Sequence, residues 1–307
     1  LLAESVTQFQ AQAYKELLPA SGPVRTQIIG SITKQKEDQA QRVSDFMNYQ
    51  IMHVMEEYDP ELDQMLFYLP LAGSTFKKVY YEGTLGRAVS KFVTADDLVV
   101  PYSATDLEEA QRVTHVIKKS SNEVRKLQVS GFYRDVDLQE YHDEDRIREK
   151  ERQISGVEKV GYSTDEYTLL EIHVNLDIPG FEDPDGIKLP YIVTIDEGSG
   201  NVLSIYRNYK EGDTLFKKQQ YFVHYKFMPG LGFYGLGLIH MLGGLSRTAT
   251  AALRQLIDAG TLSNLPAGFK ARGLRIRDDD NPLQPGEFRD VDAPGGDLRQ
   301  QEKNLLL

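Results

Sequence analysis

Glycines at 230, 232 and 235 spell G-x-G-x-x-G. Dinucleotide folds use this spacing to bring a tight turn and an open backbone against a pyrophosphate. The chemistry needs a parallel strand entering the turn and a helix leaving it. It also needs a second strand ending in an acid about 20 residues on. Residues 219–228 read as a strand and residues 236–259 as a helix, yet Pro229 stands between strand and motif. The nearest acid, Asp258, lies at the end of the helix itself. The strands before the motif are joined by connections of hairpin length, which implies antiparallel pairing. The glycines therefore read as positions of tight turning and close packing. Gly237 and the pair Gly243-Gly244 extend that reading to a helix that is kinked or closely approached. A nucleotide-binding enzyme built on Gly230–Gly235 stands as the alternative.

Other residue types with chemical potential are dispersed. The histidines are His53, His115, His142, His173, His224 and His240, and only His142 has acidic neighbours, Asp143, Glu144 and Asp145. That stretch reads as a solvated charged loop in preference to a metal site. Asp278-Asp279-Asp280 lacks the alternating spacing and distal glutamate of a calcium loop. The chain has no cysteine, which excludes disulfides, thiolate metal sites and a cysteine nucleophile. There is no G-x-S-x-G elbow and no P-loop spelling. No catalytic residue, metal or cofactor is assigned, and the expectation is a non-enzyme.

A basic cluster follows the long helix: Lys270, Arg272, Arg275 and Arg277. In a strand, Lys270 and Arg272 face one way and Arg275 and Arg277 the other. They could meet DNA phosphate or an acidic neighbouring subunit, or be ordinary surface charge balanced by Asp278–Asp280. Arg247 and Arg254, on the helix, join them as candidate contacts to DNA or to a subunit.

The elements that must position these residues come from periodicity. The 307 residues allow one large domain or two, and a chain of this length can bury about 75% of its unfolded surface. Residues 1–18 and 34–58 show helical spacing, and a short helix follows over 61–68. Strands are expected at 76–82, 88–93 and 98–100. Thr105 with Glu108 suggests a capping box for a helix over 107–118, and Ser120 with Glu123 a second box for a short helix ended by Gly131. Residues 135–153 are dense in mixed charge. Strands follow at 167–176, 189–196, 202–208 and 219–228, with Glu197–Asn201 as a hairpin turn. The long helix, closed by Gly260 and Pro266, would run about 36 Å at 1.5 Å per residue. Residues 269–277 read as a short strand and the tail from Pro282 as turns. The fold class is α+β.

No run of about 18 apolar residues is present, so no membrane span is expected. The net charge of −11 makes the chain a poor general binder of nucleic acid. The ends, Leu-Leu-Ala-Glu and Asn-Leu-Leu-Leu, read as those of a segment of a longer polypeptide.

Several phrases together resemble the portal proteins of tailed bacteriophages, in particular the podovirus head-to-tail connector. They are Gly73-Ser-Thr-Phe-Lys-Lys-Val-Tyr80, Phe92-Val-Thr-Ala-Asp-Asp-Leu-Val-Val-Pro-Tyr102, Arg112-Val-Thr-His115 and Gly235-Leu-Gly-Leu-Ile-His240. The most specific is Leu253-Arg-Gln-Leu-Ile-Asp-Ala-Gly-Thr-Leu-Ser-Asn-Leu-Pro-Ala-Gly-Phe269. The likeness spans most of residues 1–295; another virion assembly component with a similar α+β body stands as an alternative beside the nucleotide-binding enzyme.

The resemblance implies a homo-oligomeric ring, usually a dodecamer, at one vertex of the capsid of the virion, assembled in the host cytoplasm. Double-stranded DNA passes its axial channel during packaging and ejection. The implied partners are the terminase large subunit, tail or adaptor proteins and the major capsid protein, with no membrane. Residues 1–228 would be a wing-like α+β region, 229–264 a hinge and stem-like helix, and 265–307 a clip-like segment, the chain being incomplete at both ends. A second stem helix, tunnel loop and crown would lie outside it. The acidic balance agrees physically, because a conduit that repels phosphate lets DNA slide, whereas a strongly basic lumen would hold it. Ala249, Ala251 and Ala252 would let neighbouring helices approach in a closed heterologous ring.

Overall fold

A computed structural model describes residues 2–83, 85–139, 166–264, 275–276 and 291–292. The chain divides into two compact units, Leu1–Leu242 and Gly243–Leu307. The architecture is mixed α+β with antiparallel sheets.

Three helices open the first unit: α1 (Leu2–Leu17), α2 (Lys34–Tyr49) and α3 (Tyr58–Ala72), with a π-helical turn at Gln50–Val54 after α2. Strands β1 (Ser74–Glu82) and β2 (Arg87–Val93) follow, then β3 (Leu98–Val99), β4 (Arg112–Ser120) and α4 (Ser121–Val129). After them come β5 (Glu166–Leu176), β6 (Leu189–Asp196), β7 (Val202–Arg207) and β8 (Phe222–Lys226). Helix α5 (Leu238–Asn264) continues into the second unit, which also holds the short pair β9 (Arg275–Ile276) and β10 (Val291–Asp292).

The strands of the first unit form two sheets, β2-β1-β8 and β3-β4-β5-β6-β7. On one side of the smaller sheet, α1 and α3 pack through Leu18, Leu62, Met65 and Leu66, with Phe9, Tyr58 and Phe92 against them. Between the sheets lies a core of Phe76, Val93, Leu98, Val113, Phe222 and Phe233. Helix α4 buries Val124 with Leu169 and Leu203 of the larger sheet and with Tyr133 of the segment that follows α4. Alternation along the strands explains this layering: Phe76 and Lys78 face the larger sheet, while Lys77 turns to Tyr58 of α3.

The outer edge of β2 is covered by carboxylates from the start of α3. Glu57 accepts from the Ser90 N–H at 3.4 Å and from the Arg87 guanidinium at 2.8 Å. Glu61 accepts the Phe92 N–H at 2.6 Å. An exposed row of strand N–H groups invites pairing with another chain, and the i, i+4 spacing of the two acids places both on the helix face that meets it.

Several sequence expectations hold. Ser120 and Glu123 form a reciprocal capping box at α4. Glu197–Asn201 closes the β6–β7 hairpin, where Asp196 Oδ2 accepts the N–H of Ser199 at 3.0 Å and Gly200 takes φ of +70°. Others need correction. The helix expected over 107–118 is instead a turn followed by β4. Asp106 caps that turn by accepting the Glu109 N–H at 2.8 Å, and the β-branched run Val113-Thr114-His115-Val116-Ile117 pairs with β5. The short helix expected over 61–68 runs instead from Tyr58 to Ala72, with Pro60 in its first turn, where no N–H is required. Gly260 does not end α5, which continues to Asn264, two residues before Pro266. The strand before the glycine motif is antiparallel, as expected, but it is not the last of the β5–β7 series. It crosses to pair with β1, from Ser74 opposite Lys226 to Lys78 opposite Phe222.

Candidate functional site: the glycine crossing and the long helix

The loop from β8 to α5 folds back on itself, with Met228 bridged to Leu236. It crosses the junction of α3 and β1 at backbone contact. Gly73 ends α3 with φ of +87°, a conformation in which glycine carries no steric cost, and donates to Leu69 C=O. Its own C=O accepts the Phe227 N–H at 3.0 Å. A β-carbon on Gly235 would strike the carbonyl oxygens of Gly73 and Met228. One on Gly237 would strike the Leu71 carbonyl oxygen and the Gly73 nitrogen. The buried Gly235 N–H donates to Ser74 Oγ at 2.7 Å, and His224 Nε2 lies 3.2 Å from the same oxygen.

Aromatic rings surround this crossing. Phe233 stacks on His224 at 4.7 Å and on Phe76 at 5.9 Å. Tyr234 Oη donates to Leu98 C=O at 3.1 Å, tying the loop to the larger sheet. Burial, with Lys226 nearby, pushes the His224 ring down to about 4, so the ring is neutral at pH 7. His240, one turn into α5, accepts the Gly237 N–H on Nδ1 at 3.0 Å and so satisfies one of the unpaired donors at the start of that helix.

The G-x-G-x-x-G spelling thus has a packing explanation for two of its three members. A β-carbon on Gly230 would meet the Tyr234 carbonyl oxygen, and Gly235 is held as described, while Gly232 has open space around it. A phosphate cradle needs free N–H groups between a parallel strand and a helix. Here the Gly235 N–H is committed to Ser74, and β8 runs antiparallel to β1. Among the described residues no group of three or more His, Asp or Glu is arranged to hold a metal ion. No helix among them is long and apolar enough to cross a membrane.

Helix α5 is two-faced. Leu238, Leu242, Leu245, Ala249, Ala252, Leu256 and Ala259 recur at alternating spacings of four and three, the a/d pattern of helices that pack along one seam. Leu245 is 69% exposed, Leu253 60% and Leu256 69%. Arg247 and Arg254 lie a heptad apart on the opposite face, both exposed, with Asp258 one turn beyond. Of the basic cluster, Arg275 lies on β9, where its backbone pairs with Asp292. Lys270, Arg272 and Arg277 lie outside the described residues, as do His142 with its acidic neighbours and Asp278–Asp280. Of the candidate contact residues, Arg247 and Arg254 share one exposed face of α5.

No protein-family model matches the chain, and no curated protein matches its sequence.

Residue-type reasoning passed over the partner side of the crossing. Gly73-Ser74 lies between α3 and β1, and nothing in its spacing marks it as the counterpart of Gly235 and Gly237. It also passed over a charged set between the two sheets, Lys78, Glu171, His173 and His115. Lys78 Nζ lies 2.6 and 2.8 Å from the two Glu171 oxygens. These residues are spread over three strands, and no local motif could have linked them.

Proposed function

We propose that the chain is a subunit of a tailed-bacteriophage portal ring: a structural, non-enzymatic component through which double-stranded DNA is packaged and ejected. The observation that carries this reading is α5. A helix of 27 residues, about 40 Å long, leaves an apolar seam uncovered among the described residues, with two arginines on its far face. Such a helix is stable when neighbouring copies bury the seam. The quoted phrases in β1, β2, β4 and α5 support the family reading, and the net charge of −11 supports a conduit over a grip.

In this reading the first unit is wing-like and α5 is the rod that carries it toward the channel. Arg247 and Arg254 face away from the seam, toward DNA or another subunit. The terminase large subunit, tail or adaptor proteins and the major capsid protein are the docking partners, and the finished assembly sits at the capsid portal vertex.

Electron microscopy of the purified full-length protein tests the reading. Rings with an axial channel wide enough for a duplex support it. Particles that remain monomeric at high protein concentration overturn it, and saturable binding of a nucleotide in calorimetry would favour the alternative enzyme.

A further inference from the structure

Between the two sheets of the first unit lies a charged set that neither the crossing nor α5 uses. Lys78 of β1 reaches from the smaller sheet to Glu171 of β5 in the larger one. Glu171 Oε1 lies 2.9 Å from Nε2 of His173, whose side chain is almost wholly buried. His115 of β4 stands directly opposite Glu171 in the strand register. Its Nδ1 is buried and meets no hydrogen-bond partner among the described residues. Phe222 of β8 closes the set, its ring edge-on to His115 at 5.5 Å and to His173 at 5.3 Å, with Lys78 Nζ 5.6 Å from its centre. Among the described residues, further titratable groups around it include the phenols of Tyr80 on β1, Tyr221 on β8 and Tyr133 after α4, with Glu82 and Glu57 acting on Tyr80. Burial raises all three phenols, so they stay neutral.

We propose that this set is an acid-sensitive latch between the two sheets, with His115 as its sensor. The neutral His115 ring packs on Phe222 while the Lys78–Glu171 pair bridges the sheets. A proton on His115 adds a cation beside Lys78. Among the described residues the carboxylate in reach is Glu171, which is already shared by Lys78 and His173, and a buried unpaired charge is costly. The sheets part at this point to hydrate it.

The electrostatics agree in direction. Burial first, then Lys78, pushes His115 from 6.5 down to about 4. Burial works against the Glu171 carboxylate, but His173 and Lys78 outweigh it and hold it at about 2. A loosened state in which His115 recovers its ordinary value takes up a proton as pH falls from 6.5 toward 4, so acid favours that state. His224 at the crossing shifts in the same direction, and the test must separate the two.

Hydrogen exchange of the full chain, followed by mass spectrometry and corrected for the intrinsic pH dependence of exchange, makes that separation. The expected result is a loss of about tenfold or more in protection for peptides covering β1 and β5 as pH falls through the histidine window, with α3 unchanged. His115→Phe, which keeps the ring contact without titrating, retains the β5 protection across the same window. His224→Phe does not retain it. A wild-type protein with no localised loss overturns the latch, as does His115→Phe losing β5 protection at the same pH as wild type. If His115→Phe does not fold, carbon-13 labelling of the histidine rings in the wild-type chain gives the answer. A His115 midpoint well below 6.5, coincident with exposure of β5, supports the latch; titration at the ordinary value with β5 unchanged overturns it.

Discussion

The buried N–H of Gly235 and the hydroxyl oxygen of Ser74 meet at 2.7 Å. Ser74 begins β1 and Gly235 precedes α5, so one hydrogen bond joins the first strand of the fold to the root of its longest helix. Gly235→Ala and Gly237→Ala would each press a methyl group into main-chain oxygens and are expected to destabilise by about 1–3 kcal/mol. Ser74→Ala leaves a buried donor unpaired and costs about the same. Gly232→Ala, with open space around it, stays within about 0.5 kcal/mol. Urea midpoints of the four variants check this order.

Lys77 is 2% exposed, and its ammonium has no hydrogen-bond partner among the described residues; it rests 4.0 Å over the Tyr58 ring. Burial pushes it from 10.5 down to about 8, with Glu61 opposing. Because the unfolded chain holds the proton more tightly, folding is penalised below pH 8 and the penalty fades as pH rises through the window to 10.5. Lys77→Met removes the charge and keeps the bulk. It is expected to stabilise the protein by about 1 kcal/mol at pH 7 and to flatten the rise in stability toward alkaline pH, read from denaturation curves at a series of pH values.

Glu57 and Glu61 cap the β2 edge. Glu61→Ala exposes the Phe92 N–H and costs about 1–3 kcal/mol, whereas Glu61→Gln keeps an acceptor and loses less. The faster exchange of that one amide in the alanine variant, with β6 unchanged, is the measurement that checks it.

Acid lowers global stability in two stages. His115 and His224 both lie near 4 in the folded protein against 6.5 unfolded, so their contribution is present above pH 6.5 and is lost as pH falls toward 4. Glu171, held near 2 against 4.5, contributes above pH 4.5 and is lost below it. A thermal midpoint that falls from pH 6.5 downward, earlier than carboxylates alone would cause, is the expected profile.

On α5, the two faces separate by mutation. If copies of the chain assemble through α5 as proposed, Leu245→Glu and Leu256→Glu place charge in the seam, and light scattering should report fewer assembled particles. Arg247→Ala and Arg254→Ala leave the seam intact and should preserve the assembly, with any DNA association losing part of its salt dependence.

Much of the fold was legible because short-range patterns carry it. Helical spacing marked α1 and α5, alternation marked β5, and Ser120 with Glu123 marked α4. The mistaken helix over 107–118 shows the limit. Thr105 and Glu108 had the letters of a cap, but pairing with β5 outweighed them, and that partner strand lies more than forty residues away in sequence. The glycine crossing was half legible: Gly235 and Gly237 were read as close-packing residues, while Gly73 and Ser74 had no local mark. The charged set between the sheets was not legible at all, since β1, β4 and β5 are brought together only by tertiary packing.

The pairing of β8 with β1 also sets an order of events during synthesis. Strand β1 leaves the ribosome long before its second neighbour exists. At typical elongation rates the wait is on the order of ten seconds. Until β8 arrives, one edge of β1 stands open, and the α1–α3 layer rests on an incomplete sheet. A nascent chain halted before Phe222 would therefore hold its helices but expose a sticky strand, and closure by β8 couples completion of this sheet to emergence of the segment that leads into α5.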